Sequence, residues 1–309
     1  MTVSALTRPG ERDRLIVKLS EIDWIFVLAM TLIACAGGLM LFSIAGGSWQ
    51  PWAAPHMLRF GLCFLLMIGL AMVSLRLWFI SAYPIYALAL VLLIAVEVMG
   101  DISLGAQRWL QLGPLRMQPS EVMKIGLVLA LARFYHGTSS ESAQFSWRLL
   151  IPLGLIGVPV LLVAHQPDLG TAVLIAATGL AMMVLAGLDL RVVGAGVVAA
   201  LVAIPPFVLF VLHDYQRKRI LTFLNPESDP SGSGYHILQS KIALGSGGLM
   251  GRGFGLGSQS QLNFLPEKQT DFIFATLAEE FGFVGCFSVL FLYAAVIFMA
   301  LRIASISHS

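Results

Sequence analysis

Apolar residues run along the chain in blocks of about 20, separated by short polar breaks. At ~1.5 Å per residue a helix of that length crosses a ~30 Å hydrocarbon core. About eight such blocks fall at 24–46, 57–75, 78–98, 119–136, 148–165, 170–188, 191–213 and 271–301. Strand signals are missing, with no ten-residue alternating segment of the kind a membrane barrel needs, so helices must satisfy the backbone internally. The pattern predicts an all-α polytopic transmembrane helical bundle, one domain over 1–309. It comprises a cytoplasmic segment at 1–23 and a long extracytoplasmic loop at 213–270, between spans seven and eight.

Composition agrees. The chain is 58% hydrophobic and 12% charged, with a mean hydropathy of +0.85, against about 25% charged in soluble domains. The net charge of +2 says little, because orientation depends on which loops hold Lys and Arg. Arg8, Arg12, Arg14 and Lys18 precede the first span, and Arg76, Arg133, Arg148, Arg191 and Arg302 fall on the same side when spans are counted. The connections at 47–56 and 166–169 carry none, so both termini are expected in the cytoplasm and the protein in the cytoplasmic membrane. The first block is too long for a signal-peptide core and is expected to be an uncleaved anchor. Cys35, Cys63 and Cys286 lie inside blocks with no C-x-x-C spacing and are expected to be buried packing residues.

Two outer connections break the charge rule. One, Gly100 to Ser120, holds Asp101, Arg108, Trp109 and Arg116 with amphipathic spacing. The other, His213 to Thr270, holds Arg217, Lys218, Arg219, Lys241, Arg252 and Lys268, with enough apolar residues to form short helices on the membrane surface, one of them at 235–244. Seven glycines follow in the run Gly245 to Gly257. They read either as a backbone nest for an anion such as pyrophosphate or as a permissive loop along the membrane. A dinucleotide fold is excluded, since no strand precedes them and no helix is expected to open after them.

Asp271 stands where the long loop meets the eighth block. It can complement the helix dipole or serve as a general base for a lipid-linked substrate presented at the interface. Glu279 and Glu280 lie two to three turns deeper, and Lys124 follows Glu121 by one turn. Ionisable groups at such depth are functional candidates, though Glu121 and Lys124 can pair along one helix face, or either can neutralise Glu279 or Glu280 across the bundle. Asp168, between Pro167 and Gly170, reads as a turn former. The six histidines are scattered with no helical pair, so no protein-built metal site is expected.

Five motifs in order form a recognisable series: Gly105-Ala106-Gln107-Arg108-Trp109-Leu110, Gln118-Pro119-Ser120-Glu121, Gln166-Pro167-Asp168-Leu169-Gly170-Thr171, Tyr235-His236-Ile237-Leu238-Gln239-Ser240-Lys241 and Thr270-Asp271-Phe272-Ile273-Phe274. Over nearly its whole length the chain resembles the SEDS family (shape, elongation, division, sporulation), on its rod-shape branch. The resemblance implies a peptidoglycan glycosyltransferase that polymerises lipid II on the outer face of the membrane. It assigns the essential acid to Asp271 and substrate-binding roles to Arg108, Trp109, Glu121 and Lys124. Lys268 joins these, and Arg108, Arg116, Lys268 or a bound Mg²⁺ or Mn²⁺ can neutralise the leaving pyrophosphate. A class B penicillin-binding protein (a transpeptidase), membrane lipids and a divalent cation, Mg²⁺ or Mn²⁺, are the implied partners, and nucleic acid is not among them. Family members carry two more spans after the eighth, which this sequence lacks.

Two rival readings stay open. A lipid II flippase would use the intramembrane charges Glu121, Lys124, Glu279 and Glu280 and tolerate loss of Asp271. A non-catalytic scaffold would present small-residue faces such as Ala36-Gly37-Gly38 and Gly194-Ala195-Gly196 to the transpeptidase.

Overall fold

The computed structural model describes residues 19–103, 106–112, 115–136 and 147–189, short runs between 191 and 228, and 232–306 apart from 263 and 266. Helices carry the fold. They are α1 (Trp24–Ile44), α2 (Ala53–Ala71), α3 (Leu75–Met99), α4 (Pro119–Tyr135), α5 (Leu150–His165), α6 (Leu169–Leu185), α7 (Ser233–Ser246), the single turn α8 (Ser258–Gln261) and α9 (Ile273–Ile306). Five helical stretches among the described residues are long and apolar enough to cross a membrane. The protein is therefore a multi-pass, all-α membrane protein. The block at 191–213 lies largely outside the described residues, and α2 begins a turn earlier than its block.

One local feature was not expected. Residues 101–117 form a three-stranded antiparallel meander, β1 (Asp101–Ser103), β2 (Ala106–Leu112) and β3 (Leu115–Met117). β1 and β3 are too short to show a period in sequence, and the seven residues of β2 do not alternate apolar with polar. The register sets Asp101 opposite Trp109 and Gln111 opposite Arg116.

The chain divides into two compact units, residues 73–210 and the remainder. In the 73–210 unit, α4 packs against α3 and α6, burying Leu93, Met123, Leu127, Leu131 and Ile175. Among lipid-soluble helices such contacts hold by close van der Waals fit. Gly126 supplies it here, since a Cβ there would stand 3.1 Å from the Tyr86 Cα. Pro84 sits inside α3 and has no N–H for the carbonyl of Ile80. Arg133 fills the gap by donating to Ile80 O at 3.0 Å and Phe79 O at 2.9 Å, its guanidinium lying over the Phe79 and Tyr83 rings. A residue counted above only as a cytoplasmic charge is thus a repair for a helix interior.

In the other unit, α1 packs on α2 and α9, and α7 packs on α9. Asp23 caps α1, accepting from the Ile25 and Phe26 N–H groups. Cys35 and Cys63 are exposed and Cys286 half-buried, which corrects the expectation of buried packing residues. A thiol is apolar enough to face acyl chains.

The feature that organises this unit is a break in α9. Gly282 adopts φ 64° and ψ −158°, and the helix resumes beyond it. A broken helix strands backbone groups that lipid cannot satisfy, at several kcal/mol each. Here the glycine-rich segment supplies the partners. Arg252 and Gly253 donate N–H bonds to the carbonyls of Glu279 and Glu280 at 2.9 and 3.0 Å, and Phe283 and Val284 donate to those of Gly248 and Leu249 at 2.9 and 3.1 Å. Such approach excludes side chains, since a Cβ on Gly247 would stand 1.9 Å from Ala278 O and one on Gly251 2.1 Å from Glu280 O. Gly247 and Gly251 therefore line the helix break, a packing role that the run's composition alone does not show.

This arrangement predicts that Gly282→Ala costs about 2 kcal/mol or more of stability through backbone strain alone, read as a lower Tm in detergent. Gly61→Ala, with nothing within 4 Å of the added carbon, stays within about 0.5 kcal/mol.

Candidate functional site

Asp271 is exposed and lies just ahead of the first turn of α9, which holds no acid of its own. Among the described residues it makes no hydrogen bond or ion pair. The turn that presents it is closed by Thr270 N–H to Glu267 O at 3.0 Å and seated by Leu265 and Phe272 against Ala243 and Ala275. Lys268, 9% exposed, turns inward and donates from Nζ to Ser260 O at 2.5 Å. Its ammonium is engaged inside the protein, and burial pushes its pKa below the ordinary lysine value. Beside this turn, α1 and α9 line an open apolar cavity of about 190 Å³, with Ile33, Gly37, Met40, Phe274, Leu277 and Tyr293 among its walls.

Below it lie two acids just ahead of the helix break at Gly282. Glu279 is 0% and Glu280 1% exposed. Glu279 accepts from Ser258 Oγ at 2.9 Å and from the Gln259 N–H at 3.1 to 3.2 Å, with Arg252 Nη1 3.5 Å away. Glu280 accepts from Ser43 Oγ at 2.6 Å. Both carboxylates therefore have partners, as buried charge requires. Sequence reading found the acids but not Arg252, Ser258 or Ser43, which are distant in sequence. It also missed that the turn α8 opens directly after the last glycine.

The 73–210 unit carries a second group. Arg108 Nη2 donates to Pro167 O at 2.7 Å, and its Nε stands 3.6 Å from Asp168 Oδ2. Asp168 also caps α6 through the Thr171 N–H at 3.3 Å and accepts from Gln118 Nε2 at 3.2 Å. The turn former is thus also the hub that fixes Arg108. Arg116 is exposed, its guanidinium 4.7 Å from the centre of the Trp109 ring, within cation–π range. Glu121 and Lys124 pair at 2.9 Å along α4, as their spacing suggests.

Comparison with known proteins decides the lineage. The family described as FTSW_RODA_SPOVE, cell cycle protein, matches residues 20–309. The chain belongs to this SEDS family. It is 49% identical over 240 residues to the peptidoglycan glycosyltransferase MrdB of Escherichia coli strain K12, covering 78% of this chain and 64% of that protein. The SEDS chain thus spans less than two thirds of that relative's length. Among solved structures, a chain of a peptidoglycan synthase complex, described as coordinating polymerization and crosslinking, superposes with TM-score 0.74 at 35% identity, over 89% of this chain and 76% of the other. The rod shape determining protein RodA of Thermus thermophilus superposes with TM-score 0.65 at 30% identity, over 92% and 76%.

The inward Lys268 gives a pH test. Its proton leaves the folded protein at lower pH than the unfolded chain, so folding gains relative stability as pH rises from neutral toward the ordinary lysine value of 10.5. The Tm difference between wild type and Lys268→Met is expected to move in favour of the wild type over that range. A constant difference contradicts the buried ammonium.

Proposed function

We propose that this chain is the membrane-embedded part of a peptidoglycan glycosyltransferase that polymerises lipid II on the outer face of the cytoplasmic membrane, for rod-shaped wall elongation. The observation that carries the reading is Asp271, an exposed carboxylate at the head of a helix that makes no hydrogen bond or ion pair among the described residues, beside an apolar cavity. In this reading the chain has eight spans, both termini lie in the cytoplasm, and 213–270 faces outward, which brings Asp271 to the headgroup level of a lipid-linked substrate.

The chemistry needs one base. Asp271 takes the proton from the 4-hydroxyl of the acceptor GlcNAc as that oxygen bonds to the anomeric carbon of the donor MurNAc. The bond from that carbon to the pyrophosphate oxygen breaks, with inversion. Pyrophosphate leaves as an anion, so the second carboxylic acid that glycoside hydrolysis uses is not required. Arg116, whose guanidinium meets only the Trp109 ring among the described residues, is proposed to face such an anion, whereas Arg108 and Lys268 each donate to a backbone carbonyl. Trp109, Glu121 and Lys124 are proposed to shape the binding surface. Among the described residues no three His, Cys, Asp or Glu side chains converge on a metal. A Mg²⁺ or Mn²⁺ ion is proposed to come with the substrate, where it would neutralise the charge of the pyrophosphate. A class B penicillin-binding protein is the proposed partner, supported by the match to a synthase complex. The flippase reading loses ground because Glu279, Glu280, Glu121 and Lys124 all have partners within the fold.

The test is glycan-chain formation from labelled lipid II by the purified chain with its transpeptidase and Mn²⁺. Wild type is expected to yield polymer, and Asp271→Ala to lose about 10² to 10⁴-fold in rate with unchanged Tm. Polymer made equally by both sinks the assignment.

A further inference from the structure

Glu279 reaches the Asp271 turn through a short series of contacts. Its carboxylate holds Ser258 and Gln259, the first two residues of α8. The next residue of that turn, Ser260, is fully buried and offers its carbonyl to Lys268 Nζ at 2.5 Å. Lys268 stands three residues before Asp271. Gln261, the last residue of α8, donates to Ser43 O of α1 at 3.1 Å, so the turn is held at both ends. Glu280 has equal burial but bonds to Ser43 and to the Gly255 backbone ahead of the turn, not to α8 itself. The site therefore contains two adjacent buried acids with different mechanical outlets.

We infer that Glu279 is a positioning residue for Asp271, acting through α8 and Lys268. The kinetic half of this inference rests on the glycosyltransferase reading; the structural half does not. An acid that only plugged the helix break would affect the whole unit alike. One that aims Asp271 acts on turnover, because displacement of a catalytic group by about 1 Å can cost about 10²-fold in rate, while substrate binding is spared.

Two readouts test it in the full chain. Glu279→Gln keeps the size of the side chain and a carbonyl for Ser258 and Gln259, and is expected to lower kcat about tenfold. Glu279→Ala is expected to lower it about 10²-fold, with KM for lipid II within about twofold for both. Lys268→Met combined with Glu279→Gln is expected to be no slower than the slower single variant, the mark of one shared route. Hydrogen exchange, which needs no activity, is expected to rise about tenfold at 264–272 in Glu279→Gln, with α1 unchanged. Ser43→Ala, which leaves the Glu279 contacts in place, is expected to leave kcat and exchange at 264–272 near wild type. Unchanged exchange at 264–272, a rise spread evenly over the chain, or rate losses that multiply in the double variant each overturn the inference. Should Glu279→Ala not fold, Glu279→Gln decides alone. If wild type makes no polymer, the functional reading fails, and the exchange data still decide whether Glu279 holds the Asp271 turn.

Discussion

Everything near Asp271 depends on the glycine-rich segment laid into the break of α9. A helix in hydrocarbon resists unwinding because its backbone groups have nothing else to bond. Here the backbone at 248–253 supplies those bonds on both sides of Gly282. The close approach demands glycine at Gly247 and Gly251, where a Cβ would overlap α9 carbonyl oxygens. Once the segment is in place, its onward path delivers Ser258, Gln259 and Arg252 to Glu279.

The two buried acids make sense in that frame. A carboxylate taken out of water is tolerated only with charge-assisted partners, and removing a partner from such a site costs about 3 to 5 kcal/mol. Glu279 binds the loop to the break, and Glu280 binds α1 and the loop backbone at Gly255 to it. The rigid platform that results leaves one nearby acid, Asp271, with no internal partner among the described residues. Preorganised surroundings and an unengaged base are the arrangement expected of general-base chemistry. In the 73–210 unit a similar economy appears: Asp168 caps a helix and fixes Arg108 with the same carboxylate.

Much of this was legible in the sequence. Block length gave the helices, with α1, α3, α4, α5 and α6 beginning or ending within a few residues of their blocks. The Glu121 and Lys124 pair followed from spacing, and the helix at 233–246 from its apolar period. Three things were not legible. The break at Gly282 sits between Phe281 and Phe283 in an apolar run that reads as uninterrupted helix. Arg252 looks like any loop charge until the loop folds back onto α9. Of the strands at 101–117, two have three residues each and the seven of β2 do not alternate apolar with polar. In each case the deciding contact joins residues far apart in sequence or the local pattern carries no period. The cysteines failed differently, because lipid exposure and burial leave the same apolar signature.

The most direct test of the central claim separates binding from turnover at Asp271. Binding of labelled lipid II to detergent-purified wild type and Asp271→Asn is measured beside polymer formation by each. The account predicts equal affinity and polymer formation slowed about 10² to 10⁴-fold in the variant, since the carboxylate acts on a proton rather than on the lipid. Lost affinity, or polymer formed at the wild-type rate, would contradict it.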